Sequence, residues 1–343
     1  MYLRNTWYCA AESRELEHEP LGRIFLNEPV VLYRTQDGTP NALEDRCCHR
    51  RAPLSKGKVE GDGLRCGYHG FLYDAAGACI WIPGNSKIPP GARVRTYPLC
   101  ERHGYIWIWM GDPALADAAA VPDFHWNIDP EFAAVSARLE MKCNYLLLVD
   151  NLMDLSHVPV LHADTIGSAE DTDPDLTWER GADFVRGTRI AANLSATARM
   201  RSEGITGSVD QVKVMTYTPP ANVLVDVTTN ESGLPPGAKP NLNHRMVILD
   251  AMTPETESSC HYFWAACRNT NIHDHELTAS LQRQIAFAFD EDKDMLEAEQ
   301  RIIDLAPDAP QVDIPGDAGG LQSRRFLSEL IAAESAEQTV VTD

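Results

Sequence analysis

The stretch RCCHRRAPLSKGKVEGDGLRCGYHG, residues 46–70, contains two short motifs that each offer one cysteine and one histidine. The first motif is Cys47-x-His49 and the second is Cys66-x-x-His69, with 16 residues between them. Glycines and a proline border the motifs, which predicts two loops rather than helices or long strands. Each loop therefore presents one thiol and one imidazole, which are donors that bind transition metals.

The order of the four donors distinguishes two kinds of metal site. In zinc fingers two cysteines usually precede two histidines, and all four surround one ion. A Rieske [2Fe–2S] cluster has two cysteines on one iron and two histidines on the other, which two loops with alternating donors supply directly. The sequence favours the Rieske cluster, and a structural zinc site is the alternative. Cys48 lies in a loop expected to be extended, so its side chain is predicted to point away from the cluster.

Composition narrows the class of protein. The chain has 343 residues, a formal net charge of -20 and 9 cysteines. An acidic surface repels phosphate backbones and anionic lipids, which argues against nucleic acid and membrane partners. The opening MYLRNTWYCAAESRELEHEP has no signal-peptide pattern, and an odd number of cysteines favours metal ligation over a disulfide framework. We therefore expect a cytoplasmic protein.

The pattern along the chain predicts two domains, residues 1–115 and 116–343. The first has short apolar runs between turn signals and is expected to be all β. Within it, GYIWIWM (104–110) is apolar on both faces, which predicts a strand buried between two layers. The second domain is expected to combine helices with a sheet, so the predicted fold class is α+β. Its helical segments are predicted at about 145–162 and 277–305, and its strands over 180–268.

A second candidate metal site lies in the segment that contains His157 and His162. Two residues five positions apart point about 140° away from each other on a regular helix. Pro159 lies between them, and a proline inside a helix removes a hydrogen bond and clashes with the preceding turn. The helix is therefore predicted to kink or end at Pro159, so that both imidazoles face one metal.

A site with two histidines needs a carboxylate to hold ferrous iron with open coordination positions. The long C-terminal helix has an apolar stripe from Leu281 to Leu296, and Asp292 fills a gap in that stripe. A carboxylate that faces the core needs a partner or a metal. Asp292 is therefore the predicted third ligand, and Asp294 is the alternative. The remaining possibility is an electron carrier without this second site.

Several segments together resemble one protein family. They are RNTWYCAA, EDRCCHRRAPLSKG, LRCGYHGFLYD, YIWIWMGDPALAD, CNYLLLVDNLMDLSHVPVLH, TPETESSCHYFW and DAGGLQSRR. With these motifs the chain resembles the Rieske non-haem iron oxygenases, specifically the oxygenase component of vanillate O-demethylase and its relatives. Those relatives include dicamba O-demethylase and toluenesulfonate methyl-monooxygenase. The segment at about 165–250 is the least similar and is expected to line the substrate pocket.

The resemblance implies a fold and an assembly. It implies an N-terminal all-β Rieske domain of two sheets and a C-terminal helix-grip-like catalytic domain, in which an antiparallel sheet wraps around helices. The functional unit is expected to be a homotrimer. Asp154 matches the acidic residue that bridges a Rieske histidine and an iron-ligand histidine across the subunit interface. Asn151 matches a residue close to the iron and the substrate, and Asp292 matches the carboxylate ligand.

The resemblance also implies an activity. The expected enzyme is a terminal oxygenase that takes O2 and receives electrons from a separate NADH-dependent reductase or ferredoxin. The favoured reaction is O-demethylation of a methoxylated, vanillate-like aromatic acid. The alternative is methyl-group hydroxylation or ring dihydroxylation of another aromatic compound. Asp250 is predicted to hydrogen-bond a substrate hydroxyl, and His244 and Arg245 are candidates to pair with a substrate carboxylate.

Overall fold

The computed structural model describes residues 1–163, 166, 176–197, 200–201, 203–233 and 243–341. The chain forms two compact units. The first comprises residues 1–122 with 253–256, and the second comprises 123–252 with 257–343. The predicted domain boundary after residue 115 lies between two short 3-10 turns, Pro113–Leu115 and Ala118–Ala120, near the end of the first stretch. That boundary stays a prediction.

The first unit is built almost wholly of short strands. They are β1 (Trp7–Glu12), β2 (Leu21–Phe25), β3 (Glu28–Arg34), β4 (Pro40–Glu44), β5 (Lys58–Glu60), β6 (Gly63–Arg65), β7 (Leu72–Tyr73), β8 (Cys79–Trp81), β9 (Leu99–Arg102) and β10 (Tyr105–Trp109). Among the described residues they form three antiparallel sheets, β1-β10-β9, β2-β3-β4 and β5-β6-β7-β8. The structure thus has three sheets where two were expected. Strand β4 pairs with β3 and has one isolated bridge outside that sheet, between Leu43 and Thr96.

Strand β10 confirms the expectation of a doubly buried strand. All five of its residues, Tyr105–Trp109, are buried. It pairs with β1 on one side and with β9 on the other, so it is the central strand of its sheet. Its apolar side chains can therefore pack on both faces, as its continuous apolar sequence requires.

The second unit combines one large antiparallel sheet with helices. Its strands are β11 (Ala133–Met141), β12 (Leu176–Arg180), β13 (Val185–Ser195), β14 (Ser208–Thr218), β15 (Asn222–Glu231), β16 (His244–Thr256) and β17 (Ser259–Arg268), in the order β11-β17-β16-β15-β14-β13-β12. Its helices are α1 (Tyr145–Met153), α2 (Val158–Leu161), α3 (His275–Leu305) and α4 (Ala318–Val341). This arrangement confirms the α+β class. No helix in the described part of the chain has the length and apolar character needed to cross a bilayer.

The helical segment around the two histidines breaks earlier than predicted. Helix α1 ends at Met153, and Asp154 has an extended backbone with φ -127° and ψ 100°. The Asp154 carboxylate accepts a hydrogen bond from the backbone N–H of Ser156 and so begins a new 3-10 turn. The prediction of a break at Pro159 is wrong. Pro159 lies in the first turn of α2, where its missing N–H leaves no hydrogen bond unmade.

Candidate metal centres

Two loops of the first unit carry the first set of candidate ligands. The backbone N–H of Cys47 donates to the carbonyl of Ala52 at 2.9 Å, and that of Cys66 donates to the carbonyl of Phe71 at 2.8 Å. Each hydrogen bond joins two residues five positions apart and closes a loop of six residues, with the histidine inside the loop. Glycine is required within the second loop, because a Cβ on Gly67 would lie 2.5 Å from the carbonyl oxygen of Lys56.

The four side chains form an inner and an outer pair. Cys47 and Cys66 are each 2 % exposed and belong to the apolar core of the unit. His49 and His69 are exposed, and their ring centroids are 4.6 Å apart. This donor set fits a Rieske cluster, which needs two thiolates on one iron and two imidazoles on the other. The two imidazoles are therefore the solvent-exposed half of this donor set, and the two thiols are its buried half.

The hydroxyl of Tyr73 contacts both adjacent cysteines. It lies 3.1 Å from the Sγ of Cys47 and 3.1 Å from the Sγ of Cys48, and it accepts the backbone N–H of Cys48. Cys48 therefore does not point away from the cluster side as predicted, although it is exposed. The reason is that residues 48–50 form a turn and not an extended strand, so strict alternation of side chains does not apply.

The second set of candidate ligands meets in the second unit. The Oδ1 of Asp292 lies 3.5 Å from the Nε2 of His157 and 3.2 Å from the Nε2 of His162. One ligand atom from each of the three residues lies within 4.8 Å of the others. Asp292 is 4 % exposed, whereas the alternative, Asp294, is exposed. The helix break at Asp154 places the two histidines on different elements, which removes the difficulty of their five-residue spacing.

Hydrogen bonds to the other ring nitrogens orient both imidazoles. The Nδ1 of His157 lies 2.8 Å from the carbonyl oxygen of Asp154, so Nδ1 carries the proton and Nε2 is free to bind a metal. The Nδ1 of His162 lies 2.8 Å from the Oε2 of Glu291. Burial lowers the pKa of His162, but hydrogen bonds with Asp292 and Glu291 outweigh it and raise the pKa overall. A carboxylate–histidine pair of this kind raises the basicity of a metal ligand.

Asn151 holds the carboxylate of the candidate site in place. Its Nδ2 donates to the Oδ1 of Asp292 at 3.0 Å and lies 3.3 Å from the Nε2 of His157. Asn151 comes from α1, so this contact joins residues that are 141 positions apart in sequence. The amide therefore holds two of the three candidate ligands in position. The role of Asn151 beside an iron stays a prediction.

A cavity of about 1110 Å³, including its open mouth, borders the three candidate ligands. Its other walls come from α1, α3 and strands β13 to β16, and they are mainly apolar. The segment expected to line the pocket, 165–250, contributes residues of β13 to β16, while 167–175 and 234–242 lie outside the described residues. Its largely apolar walls suit an aromatic ring.

The predicted substrate contact Asp250 is placed differently. Asp250 is 0 % exposed and is not among the described residues that line the cavity. Its Oδ1 accepts a hydrogen bond from the hydroxyl of Tyr262 at 2.7 Å. Burial, and to a lesser extent the nearby Asp292 carboxylate, raise the pKa of Asp250 to about 8. Its carboxyl group is therefore a neutral core group at pH 7.

Asp154 remains accessible at the helix break. Its carboxylate accepts hydrogen bonds from the backbone N–H and the hydroxyl of Ser156, at 2.9 and 3.0 Å. The residue as a whole is half-buried. Gly316 lies close to this carboxylate, because a Cβ on it would lie 3.2 Å from the Oδ2 of Asp154. The structure thus presents the Asp154 carboxylate beside His157.

Sequence reasoning missed two residues of the site. Glu291 orients His162, and it directly precedes Asp292 in α3, so a search for acidic neighbours of the predicted ligand would find it. Lys213 lines the cavity, and its place in the alternating strand β14 is the only signal for it in the sequence.

Two family models match the chain. Residues 6–98 match the Rieske [2Fe–2S] domain, and residues 141–333 match the C-terminal domain of the vanillate O-demethylase oxygenase. The first match favours the cluster over the zinc alternative, because it covers all four cysteine and histidine ligands.

Curated relatives and solved structures cover nearly the whole chain. It is 41% identical to a putative iron–sulfur subunit of a toluene-4-sulfonate monooxygenase system from Comamonas testosteroni, over 98% of this chain and 99% of that protein. It is 35% identical to the vanillate O-demethylase oxygenase subunit of a Pseudomonas species, over 97% and 96%. The crystal structure of dicamba monooxygenase bound to 3,6 dichlorosalicylic acid matches with a TM-score of 0.91 at 34% identity, over 98% of this chain and 99% of that chain. The chain therefore belongs to the Rieske non-haem iron oxygenases, as an oxygenase subunit of the demethylase and monooxygenase type.

Proposed function

We propose that this chain is the terminal oxygenase that removes the methyl group from a methoxylated, vanillate-like aromatic acid. The observation that carries the proposal is the group His157, His162 and Asp292 at the wall of a largely apolar cavity. Two relatives support the reaction, because they are named as O-demethylases of vanillate and dicamba. In this reaction an aryl methyl ether, O2, two electrons and two protons give a phenol, formaldehyde and water.

The three grouped residues are the proposed ligands of a mononuclear iron. Two imidazoles and one carboxylate are the donor set of non-haem ferrous oxygenases, and the close approach of their atoms supports this fit. Iron bound there would supply the activation of O2 and the insertion of one oxygen atom into a methyl C–H bond. Asn151 holds Asp292 and His157 in position, and the apolar walls exclude water from the reacting carbon.

Electrons are proposed to enter through a [2Fe–2S] cluster held by Cys47, His49, Cys66 and His69. The relatives are named as oxygenase or iron–sulfur components of multi-component systems, which supports a separate electron donor. We propose that this donor is an NADH-dependent reductase or ferredoxin, since the chain has no glycine-rich nucleotide motif. The exposed imidazoles of His49 and His69 suit an encounter with such a partner.

We further propose that the active assembly is a homotrimer in which Asp154 links two subunits. Its carboxylate would accept a hydrogen bond from His49 or His69 of one subunit while its own backbone carbonyl holds His157. The half-buried carboxylate and its hydrogen bond pattern support this role.

A second reaction is supported by the toluene-4-sulfonate relative. Hydroxylation of an aryl methyl group needs the same iron centre and yields an alcohol without formaldehyde. The 41% identity to a subunit named for a methyl-substituted sulfonate favours this candidate over ring dihydroxylation.

One experiment separates the reactions. The purified subunit, reconstituted with iron and a surrogate reductase, is given methoxylated and methylated aromatic acids. O-demethylation predicts formaldehyde in a one-to-one ratio with the O2 consumed. An alcohol product with no formaldehyde supports methyl hydroxylation, and a cis-diol supports dihydroxylation. If no aromatic compound couples to O2 uptake, the proposal is wrong.

A further inference from the structure

We propose that Met246 and Ile285 limit the length of the substrate, because they separate the cavity at the proposed iron site from a second, smaller cavity. The inference rests on the proposed function, because it takes the methoxy carbon to lie at the iron. It goes further, because it names the residues that set the limit. It also names the group they exclude, which is an alkyl substituent opposite the methoxy group on the ring.

A second cavity of about 200 Å³, including its open mouth, lies in the same unit as the first. Its apolar walls come from β11, β17 and α3, and their residues are Ala133, Val135, Ala266 and Leu281. Within the described lining, Met246 and Ile285 are the two residues that line both cavities. These two side chains therefore form a partition between the cavities, here called the Met246–Ile285 partition.

Helix α3 places the partition between the second cavity and the candidate iron site. Thr278 and Leu281 line the second cavity, whereas Phe289 and Asp292 line the first. Residues three or four positions apart lie on one face of a helix, so both cavities border the same face of α3. Ile285 and Asp292 are seven positions apart, which is about 10 Å along the helix axis. A ring that extends from the iron site along this face therefore points its far end at the partition.

The two halves of the partition differ in stiffness. Methionine is unbranched and has three rotatable bonds, so it adapts to the space around it. Isoleucine is branched at Cβ, and in a helix it keeps largely to one χ1 rotamer. Met246 and Ile285 are 5% and 7% exposed, so both are held inside the unit. Met246 is therefore the half whose removal joins the two cavities.

Strand β16 turns Met246 towards the cavities, but not its two charged neighbours. His244 is 2% exposed and contacts the carboxylate of Glu203. The guanidinium of Arg245 pairs with Asp226 at 2.6 Å. Neither residue is among the described residues that line either cavity, although both were candidates from sequence to pair with a substrate carboxylate. The contribution of this part of β16 to the cavity wall is therefore apolar.

The second cavity suits an apolar group. Its two polar lining residues, Arg268 and Thr278, are bonded to each other, because the guanidinium donates to the Thr278 hydroxyl. The guanidinium also donates to the backbone carbonyls of Asn271 and Asp274, at 2.7 and 3.1 Å. A polar substituent would have to compete with these hydrogen bonds, whereas an alkyl group packs on the alanine, valine and leucine walls without disturbing them.

The experiment measures binding and not turnover. Enzyme loaded with iron is titrated by calorimetry, without O2, with 5-methoxybenzoates that carry hydrogen, methyl, ethyl or propyl at carbon 2, opposite the methoxy group. The isomeric 4-alkyl-3-methoxybenzoates carry the same groups next to the methoxy group and are the ligand control. The variants are Met246→Ala and the control Ile248→Ala. Ile248 has a side chain of similar size and, among the described residues, lines only the first cavity.

The expected result is a change in the order of affinities. The wild type should bind the 2-propyl ligand roughly 10-fold more weakly than the 2-methyl ligand, because the partition leaves no room for the longer chain. In Met246→Ala the order should reverse, and each methylene that enters the second cavity should tighten binding roughly 4-fold. Ile248→Ala should keep the wild-type order. Met246→Ala should not reverse the order within the isomeric ligands. A crystal structure of Met246→Ala with the 2-propyl ligand should show the propyl group against Leu281.

The inference is overturned if the wild type binds the 2-propyl ligand as tightly as the 2-methyl ligand, a result that needs no variant to fold. It is also overturned if Ile248→Ala reverses the order as Met246→Ala does, or if the propyl group lies outside the second cavity in the crystal. Met246→Val, which shortens the side chain less, replaces Met246→Ala if the alanine variant unfolds.

The proposed function is tested separately by formaldehyde release from 3-methoxybenzoate, the member of the series without an alkyl group, with O2 and a reductase. The expected order of affinities without formaldehyde supports the partition and rejects O-demethylation. Formaldehyde from an enzyme that binds all four ligands equally well supports O-demethylation and rejects the partition. The two proposals can therefore fail independently.

Discussion

Arg51 and Gly70 occupy the same position in the two loops that carry the candidate cluster ligands. Each follows its cysteine by four residues, and each donates its backbone N–H to the carbonyl of that cysteine, at 2.9 and 3.1 Å. Both have a positive φ, of 59° for Arg51 and 75° for Gly70. The two loops thus turn in the same way, although only one has the residue that adopts this conformation without strain.

The shared turn predicts unequal responses to substitution at the two positions. Gly70→Ala should lower the free energy of unfolding by about 1–2 kcal/mol, since an L-residue is strained at this φ and the new Cβ would lie 3.1 Å from Pro83. Arg51→Gly should change it by less than about 1 kcal/mol, because relief of strain is offset by a more flexible unfolded chain. Thermal loss of the cluster's visible absorbance measures both. Equal destabilisation by the two variants would contradict the explanation.

Tyr73 is expected to tune the cluster. Its hydroxyl lies 3.1 Å from the Sγ of Cys47, and a hydrogen bond to a ligand sulfur stabilises the reduced cluster. Tyr73→Phe should therefore lower the reduction potential, by an amount on the order of 60 mV if the one-electron equilibrium changes tenfold. A redox titration followed by EPR gives the shift. Cys48→Ala is the control, and it should retain the cluster, whereas Cys47→Ala should lose it.

Glu291 is expected to act on the iron site through His162. Glu291→Gln should weaken iron binding about 10- to 100-fold, as is usual when a partner of a ligating histidine is removed. Asp292→Ala should abolish iron binding at this site while the cluster spectrum stays normal. Asp294→Asn, on the exposed side of the same helix, is the matched control and should bind iron like the wild type. Iron content after dialysis against a chelator measures all three, and an iron-poor Asp294→Asn would instead favour Asp294 as the ligand.

Asp250 is expected to make stability depend on pH. Its pKa in the folded protein is raised, by burial first and by the Asp292 carboxylate second, to about 8, above its usual value of 3.8. Between these values the unfolded chain ionises at Asp250 while the folded protein stays protonated there, so the contribution of this group to stability falls as pH rises.

Asp250→Asn removes this dependence, because the amide stays neutral and its oxygen can still accept from Tyr262. Its Tm relative to the wild type should therefore increase from pH 5 to pH 8. Asp183→Asn, which changes an exposed carboxylate, is the control. A constant difference between Asp250→Asn and the wild type across this range would show that Asp250 is ionised in the folded protein.

The metal-binding motifs could be read from the sequence because covalent spacing holds them together. Cys47 and His49 are two residues apart, and Cys66 and His69 three, so each loop carries its donors whatever surrounds it. Asp292 could be predicted for a similar reason. Helical periodicity turns it to the same side as Leu281, and its burial in the structure agrees.

Only the tertiary structure could decide the contacts that make these donors specific. The sequence pattern predicted that the helix breaks at Pro159. In the structure α1 ends at Met153, because the Asp154 carboxylate caps the next turn. Glu291 meets His162 across 129 residues of sequence, and strand register brings Lys213 to the cavity wall while Asp250 is buried against Tyr262. The sequence alone determined the family, the α+β class and the donor types, which depend on local spacing. Orientation, burial and charge in the site depend on residues far apart along the chain, and only the packed fold brings those together.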